Sequence, residues 1–180
     1  MFQKLNELRL LSFFLENPFQ RVYLRELARK LGMSPATVLR GLRSLTEYEL
    51  ITQDKQYRGS LFRANSTPYF KALKIAYSLE KLQQFNIVNE IVNNANGLIT
   101  VMIFGSTAKG EDTPESDLDL LIIANKVNTT AGDISKKIGR EVSLHVYSVT
   151  KWKETREKNK AFYWDVISHG IALHGQKLVI

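Results

Sequence analysis

The sequence predicts a mixed α+β chain of two units joined by a helical connector, and three observations carry that prediction. Residues 1–67 show short helical stripes separated by tight breaks and end in a hairpin pattern. Residues 68–95 hold a helical period with no Gly or Pro after Pro68. Residues 96–180 open with a β-branched apolar run that passes through Gly-Ser and a polar loop into a second apolar strand, the pattern of a small mixed β-sheet flanked by helices.

Composition narrows the function classes. The 180 residues are 44% hydrophobic and 24% charged, which excludes wholesale disorder. With no Cys, a disulfide scaffold, a thiolate nucleophile and a Cys-ligated zinc site are all excluded. Apolar runs such as Leu120 to Ala124 are too short to span a bilayer. The start of the chain, with Lys4, Glu7 and Arg9, lacks a signal-peptide pattern, so the expected location is cytoplasmic, with no membrane partner. The net charge of +7 is uneven: residues 1–67 hold 11 basic and 6 acidic groups, the remainder 14 and 12. A basic N-terminal unit points to a polyanionic partner.

Within that unit, Leu5, Leu8, Leu11 and Leu15 form a helical stripe that ends at Asn17-Pro18. Leu24, Leu27, Ala28 and Leu31 form one face of a second, short helix stopped by Gly32. Ser34 is a natural N-cap, with Pro35 at the first helical position of a third helix whose buried stripe is Val38, Leu42 and Leu45. That leaves Thr37, Arg40, Gly41 and Arg43 on other faces. Leu50 to Thr52 and Leu61 to Arg63 then read as strands around a basic, Gly-containing tip.

The stretch YLRELARKLGMSPATVLRGLRSLTEYELI resembles winged helix-turn-helix regulators of bacteria and archaea. Glu49 departs from the pattern, since many such sequences carry Gly there. The resemblance implies DNA as a partner, with Ser34, Thr37, Arg40 and Arg43 facing it and Lys55, Arg58 and Arg63 of the wing touching phosphates.

The connector carries apolar residues at Phe70, Leu73, Ala76, Tyr77, Leu82, Phe85, Val88, Ile91 and Val92. One long helix, or two broken near Phe85-Asn86, satisfies the pattern. So apolar a surface must pack on something, and a homodimer reading two half-sites is the favoured expectation.

The chemistry sits in the C-terminal unit. The run Leu98 to Phe104 reads as a buried strand leading into Gly105-Ser106. Gly105 lets the backbone turn sharply and approach a ligand with no Cβ in the way. A helix opening at Ser106 aims free N–H groups at an anion, with the Ser106 hydroxyl and Lys109 as further donors. Asp117 and Asp119 stand two apart on a strand, so both carboxylates project from one face while Leu118 and Leu120 turn to the core. Two such carboxylates call for a cation, and Mg²⁺ suits oxygen ligands beside phosphates.

GSTAKGEDTPESDLDLLI closely resembles the signature of the DNA polymerase β-type nucleotidyltransferase superfamily, particularly its minimal members. The resemblance implies binding of a nucleoside triphosphate through Gly105, Ser106 and Lys109. It also implies catalytic Asp117 and Asp119 holding two Mg²⁺ ions, and transfer of a nucleoside monophosphate to a hydroxyl acceptor, a protein among the candidates. Ser116 matches the usual Ser before the pair, and Lys109 stands where Arg is frequent.

Active members of the superfamily usually add a third carboxylate from a later strand. Here Ser143 falls at that position on the strand from Arg140 to Tyr147, with Glu141 and His145 on its face. Glu141 substitutes only if the register slips by two; His145 is the other candidate to take the proton. The expected organisation is a winged helix (1–67), a helical connector (68–95) and a nucleotidyltransferase-fold domain (96–180). The alternative to Mg-dependent transfer is a weak or inactive, nucleotide-sensing transcription regulator.

Overall fold

The computed structural model describes residues 5–57 and 59–180. The chain divides into two compact units, residues 1–77 and 78–180.

In the first unit α1 (Asn6–Glu16), α2 (Leu24–Leu31) and α3 (Pro35–Glu47) pack around Leu10, Phe14, Leu27, Val38 and Leu42. The stripe of α1 is wider than the leucine spacing suggested: Leu10, Phe13 and Phe14 are buried beside Leu11 and Leu15, while Leu5 is exposed. Gly32 adopts the left-handed conformation that ends α2, and Ser34 caps α3 by accepting a hydrogen bond from the Thr37 N–H at 3.1 Å. Gly41 is a correction. It faces inward, and a Cβ there would lie 2.2 Å from Leu10 Cδ1, so its lack of a side chain lets α3 approach α1.

A two-residue strand, β1 (Val22–Tyr23), pairs with β3 (Gly59–Ala64), which pairs with β2 (Ile51–Gln56) to give the wing as a three-stranded antiparallel sheet. Glu49 sits at φ 56°, the left-handed region that Gly occupies at lowest cost, and its carbonyl accepts from Asn65 Nδ2.

The connector is two helices. α4 (Pro68–Gln84) ends at Phe85-Asn86, where Asn86 is left-handed at φ 54°, and α5 (Ile87–Asn93) follows. Phe70 and Tyr77 belong to the core of the first unit; Leu82, Ile87 and Ile91 belong to a core of the second.

The second unit is built on a four-stranded mixed sheet in the order β8 (Val142–Tyr147), β6 (Leu118–Ile123), β5 (Thr100–Phe104), β9 (Ile171–Gly175). Only β6 and β8 run parallel; β5 is antiparallel to both of its neighbours. A separate two-stranded ribbon joins β4 (Ala95–Asn96) to β7 (Lys126–Val127). The strand alternation feeds two cores. Val101, Ile103, Leu118, Leu120 and Ile122 pack with α5 and Ile134 of α7 (Ala131–Ile138). Met102, Phe104, Leu121 and Ile123 pack with Trp152 of α8 (Val149–Lys158) and Tyr163 and Val166 of α9 (Lys160–His169). Trp152, fully buried, anchors an otherwise charged α8 and donates its indole N–H to the Leu178 carbonyl at 2.9 Å. Both faces of the sheet are therefore covered, and the candidate site residues Gly105, Asp117 and Asp119 lie where strands end or begin.

Candidate active site

Strand β5 ends at Phe104 and turns at once into α6 (Gly105–Lys109), a single helical turn closed by left-handed Gly110. Phe104 pairs with Asp119 in the β5–β6 ladder, which sets Gly105 against the start of β6. Gly105 has φ 68°, and a Cβ on it would lie 2.2 Å from Asp119 Oδ2. Only glycine fits: the backbone of the turn and a carboxylate oxygen occupy adjoining space. Ser106, half-buried, opens the turn, and the first N–H groups of any helix lack an internal acceptor.

Asp119 stands on the face of β6 that also carries Leu121 and Ile123, opposite to Leu118 and Leu120, as the alternation requires. Burial pushes its carboxyl above the usual carboxylate range. The nearby His145 pulls it back, Asp117 raises it further, and Arg140 again lowers it. The two carboxylates thus feel each other across the end of the strand, with Asp117 exposed and Asp119 half-buried.

A staple that the sequence reading passed over holds this end of the strand. Arg140, just before β8, donates from Nη1 to Asp112 Oδ2 at 2.9 Å and from Nε to the Ser116 carbonyl at 2.6 Å. Its Nη2 donates to the Asp117 carbonyl at 3.2 Å and to Thr107 Oγ1 at 3.4 Å. One guanidinium therefore binds α6, the 111–116 loop and the residue that carries the first carboxylate. Ser116 contributes within the loop, where its Oγ accepts from the Thr113 N–H at 2.9 Å.

Lys109, the charged candidate for the phosphates, is paired with α9. Its ammonium is 2.7 Å from Asp165 Oδ1 on α9, and that hydrogen bond holds the Asp165 carboxyl below its ordinary range, with His169 at 3.1 Å adding to the effect. The partner, 56 residues away in sequence, carried no local signal.

On the other side of Asp119, the parallel ladder pairs it with Ser143. The register does not slip, so Glu141, exposed and outside the strand, is not brought beside Asp119; its carbonyl accepts from the Leu118 N–H. Ser143 Oγ lies 3.0 Å from His145 Nε2. The imidazole packs edge-on to Phe104, with centroids 5.2 Å apart, and against Phe162 at 5.7 Å. Among the described residues no group of three His, Cys, Asp or Glu side chains converges on a metal position.

Residues 86–177 match the family described as polymerase beta, nucleotidyltransferase. The chain belongs to the polymerase beta nucleotidyltransferase family. Residues 7–55 of this family member match the IclR helix-turn-helix domain, so a helix-turn-helix DNA-binding domain precedes the nucleotidyltransferase-type domain. No curated protein matches the chain. Among solved structures, a toxin-antitoxin with AMP-PNP is similar at 20% identity over 51% of this chain and 72% of that one, with TM-score 0.40. A mutant of the toxin-antitoxin MntA-HpeT is similar at 20% identity over 52% and 73%, TM-score 0.39. The adhesin competence repressor (AdcR) of Streptococcus pyogenes is similar at 24% identity over 51% and 68%, TM-score 0.36.

In the helix-turn-helix unit, Arg40 and Arg43 are exposed on α3, as are Lys55 and Arg63 on the hairpin. Arg63 Nε donates to Thr52 Oγ1 at 3.2 Å. Ser34 spends its hydroxyl on the helix cap and on Thr37 Oγ1, 2.9 Å away. Arg58 lies outside the described residues. Among the described residues no helix is long and apolar enough to cross a membrane.

Proposed function

We propose that the C-terminal domain transfers a nucleoside monophosphate from a nucleoside triphosphate to a hydroxyl acceptor, in a Mg²⁺-dependent reaction. The observation that carries this reading is the closeness of the Gly105 backbone to Asp119 Oδ2: a triphosphate approaching that turn meets the carboxylates at the same place. Asp117 and Asp119 offer only oxygen donors at one end of β6, so the pair fits a hard divalent cation. Two carboxylates leave most coordination positions to water and phosphate, which is how Mg²⁺ is usually held in phosphoryl-transfer sites. When bound, the ion supplies charge neutralisation at the reacting phosphate and the leaving pyrophosphate.

The protein's own part is positioning. Gly105 admits the phosphates, the Ser106 N–H and hydroxyl donate to them, and Arg140 fixes the loop ahead of Asp117. The test is nucleotide binding by calorimetry with and without Mg²⁺, on the wild type and on Asp117→Asn/Asp119→Asn, followed by transfer of α-labelled triphosphate in lysate. Mg-dependent binding that the double variant loses, together with a labelled acceptor, is expected. Binding with no labelled product from any acceptor overturns the transfer reading.

Ser143 beside Asp119 favours a second reading, in which the domain binds Mg-nucleotide and turns it over weakly or not at all, passing the signal to the helix-turn-helix. A hydroxyl cannot serve as the general base, and such a group contributes about 10²–10⁴-fold in rate. This reading expects DNA binding by a homodimer, altered by Mg-nucleotide, with the protein acting in the cytoplasm. No affinity for DNA at low salt, where phosphate contacts are strongest, removes it.

A further inference from the structure

We propose that Ser143 is itself an acceptor: its hydroxyl takes a nucleoside monophosphate from the bound triphosphate, so that the chain nucleotidylylates its own strand β8. The inference rests on the transfer reading above and names the hydroxyl that reading leaves open. Three observations lead to it.

Ser143 is the register partner of Asp119, and partners in a parallel ladder stand on one face of the sheet on strands about 4.8 Å apart, so the two side chains leave neighbouring strands on the face that borders the Gly105 turn. The hydroxyl is also 3.0 Å from His145 Nε2, within the range of a nucleophile and its base. The imidazole, in turn, packs against Phe104 and Phe162 on two different elements. A Ser–His pair two residues apart on a strand commonly does no more than satisfy its own hydrogen bonds. This one does so beside Asp119, at the point where the triphosphate would be gripped.

The step balances without any change of oxidation state. Ser143 Oγ forms a bond to the α-phosphorus, the bond from that phosphorus to the oxygen bridging to the β-phosphorus breaks, and the electron pair leaves with pyrophosphate. The hydroxyl proton passes to His145 Nε2, which accepts in the tautomer protonated at Nδ1. The product is a serine phosphodiester that occupies the face next to Asp119, so the reaction stops at one nucleotide per chain.

The test incubates the full chain with Mg²⁺ and ATP, GTP, CTP or UTP in turn, then reads intact mass and peptide maps, with calorimetry for binding of the same nucleotides. The expected result is a single added nucleoside monophosphate on the peptide containing Ser143. It is absent from Ser143→Ala, retained in part by Ser143→Thr, and at least tenfold slower to form in His145→Gln, with melting curves confirming that each variant folds. Binding of a nucleotide with the Ser143 peptide unmodified, or label on another residue or molecule alone, overturns this inference and leaves the transfer reading standing. Failure of every nucleotide to bind overturns both.

Discussion

Arg140 and Asp112 form an ion pair at 2.9 Å in which the carboxylate is almost wholly buried and the guanidinium keeps about a fifth of its surface in water, 8% and 22% exposed. The same guanidinium holds the carbonyls of Ser116 and Asp117, so a single side chain ties the stability of the loop to the place of the Asp117 carboxylate.

Arg140→Met is expected to lower the stability of the C-terminal domain by about 1.5–3 kcal/mol, because hydrogen bonds to a charged group are lost and Asp112 stays buried. Mg-nucleotide affinity should fall with it. Arg140→Lys should recover part of the stability but little of the affinity, since a compact ammonium with three donors cannot span the four acceptors that the guanidinium reaches. Chemical denaturation and calorimetry on the two variants read these effects separately; equal recovery of both by lysine would contradict the positioning role.

Gly105→Ala places a methyl group against Asp119 Oδ2 and forces a left-handed φ on a residue with a Cβ. The expected cost is about 1–2 kcal/mol in stability from the backbone alone, with nucleotide binding lost at any practical concentration. Lys109→Met is the contrast. Its ammonium is occupied by Asp165 at a partly exposed site, so binding should fall less than with Gly105→Ala, and stability by less than about 1 kcal/mol.

The elevated carboxyl of Asp119 sets a pH dependence. Its folded-state pKa lies above the unfolded value near 3.8, so the folded form holds the proton more tightly. Stability without metal therefore declines as pH rises from that value through the raised folded one, then levels off. Asp119→Asn removes this decline. At neutral pH without Mg²⁺ it should melt higher than the wild type, where each kcal/mol corresponds to about 2–4 °C for a chain of this size. Added Mg²⁺ with nucleotide should raise the wild-type melting temperature and leave that of the variant unchanged. A lower-melting variant would contradict the desolvation account.

In the helix-turn-helix unit, structural and DNA-facing roles should separate. Ser34→Ala removes the cap of α3 and should cost about 1 kcal/mol in stability. Arg40→Ala and Arg43→Ala, on exposed positions, should leave melting unchanged while weakening DNA binding. If the contact is to phosphate, each should reduce the salt dependence by about one unit of slope. Fluorescence anisotropy across a salt series distinguishes the two kinds of effect.

Features set by neighbours in sequence were legible before the structure. The Ser34 cap, the stop at Gly32 and the alternation that puts Asp119 opposite Leu118 each follow from local geometry, whereas the helical period left one long connector helix or a break at Phe85-Asn86 equally open. The mismatch noted at Glu49 proved to be a left-handed residue where Gly would sit at less cost. The family resemblance puts Ser143 where a third carboxylate is expected, and the ladder pairs it with Asp119. What escaped depends on tertiary approach. Arg140 gathers groups from Thr107 to Asp117 that no spacing rule joins, Lys109 is taken up by a helix far along the chain, and Gly41 has no side chain to betray its direction.

The two-core sheet has a consequence for how the chain finds its fold. Leu118 and Leu120 enter one oily interior, Leu121 and Ile123 enter the other, and Asp119 emerges only because β6 is threaded in its native frame. Sliding β6 by a single residue would drive a charged group into hydrocarbon and bring a leucine to the mouth beside Gly105. The Asp119 carboxylate thereby also acts as a key against misthreading, and a mutant that trades it away is expected to gain heat tolerance while loosening the lock.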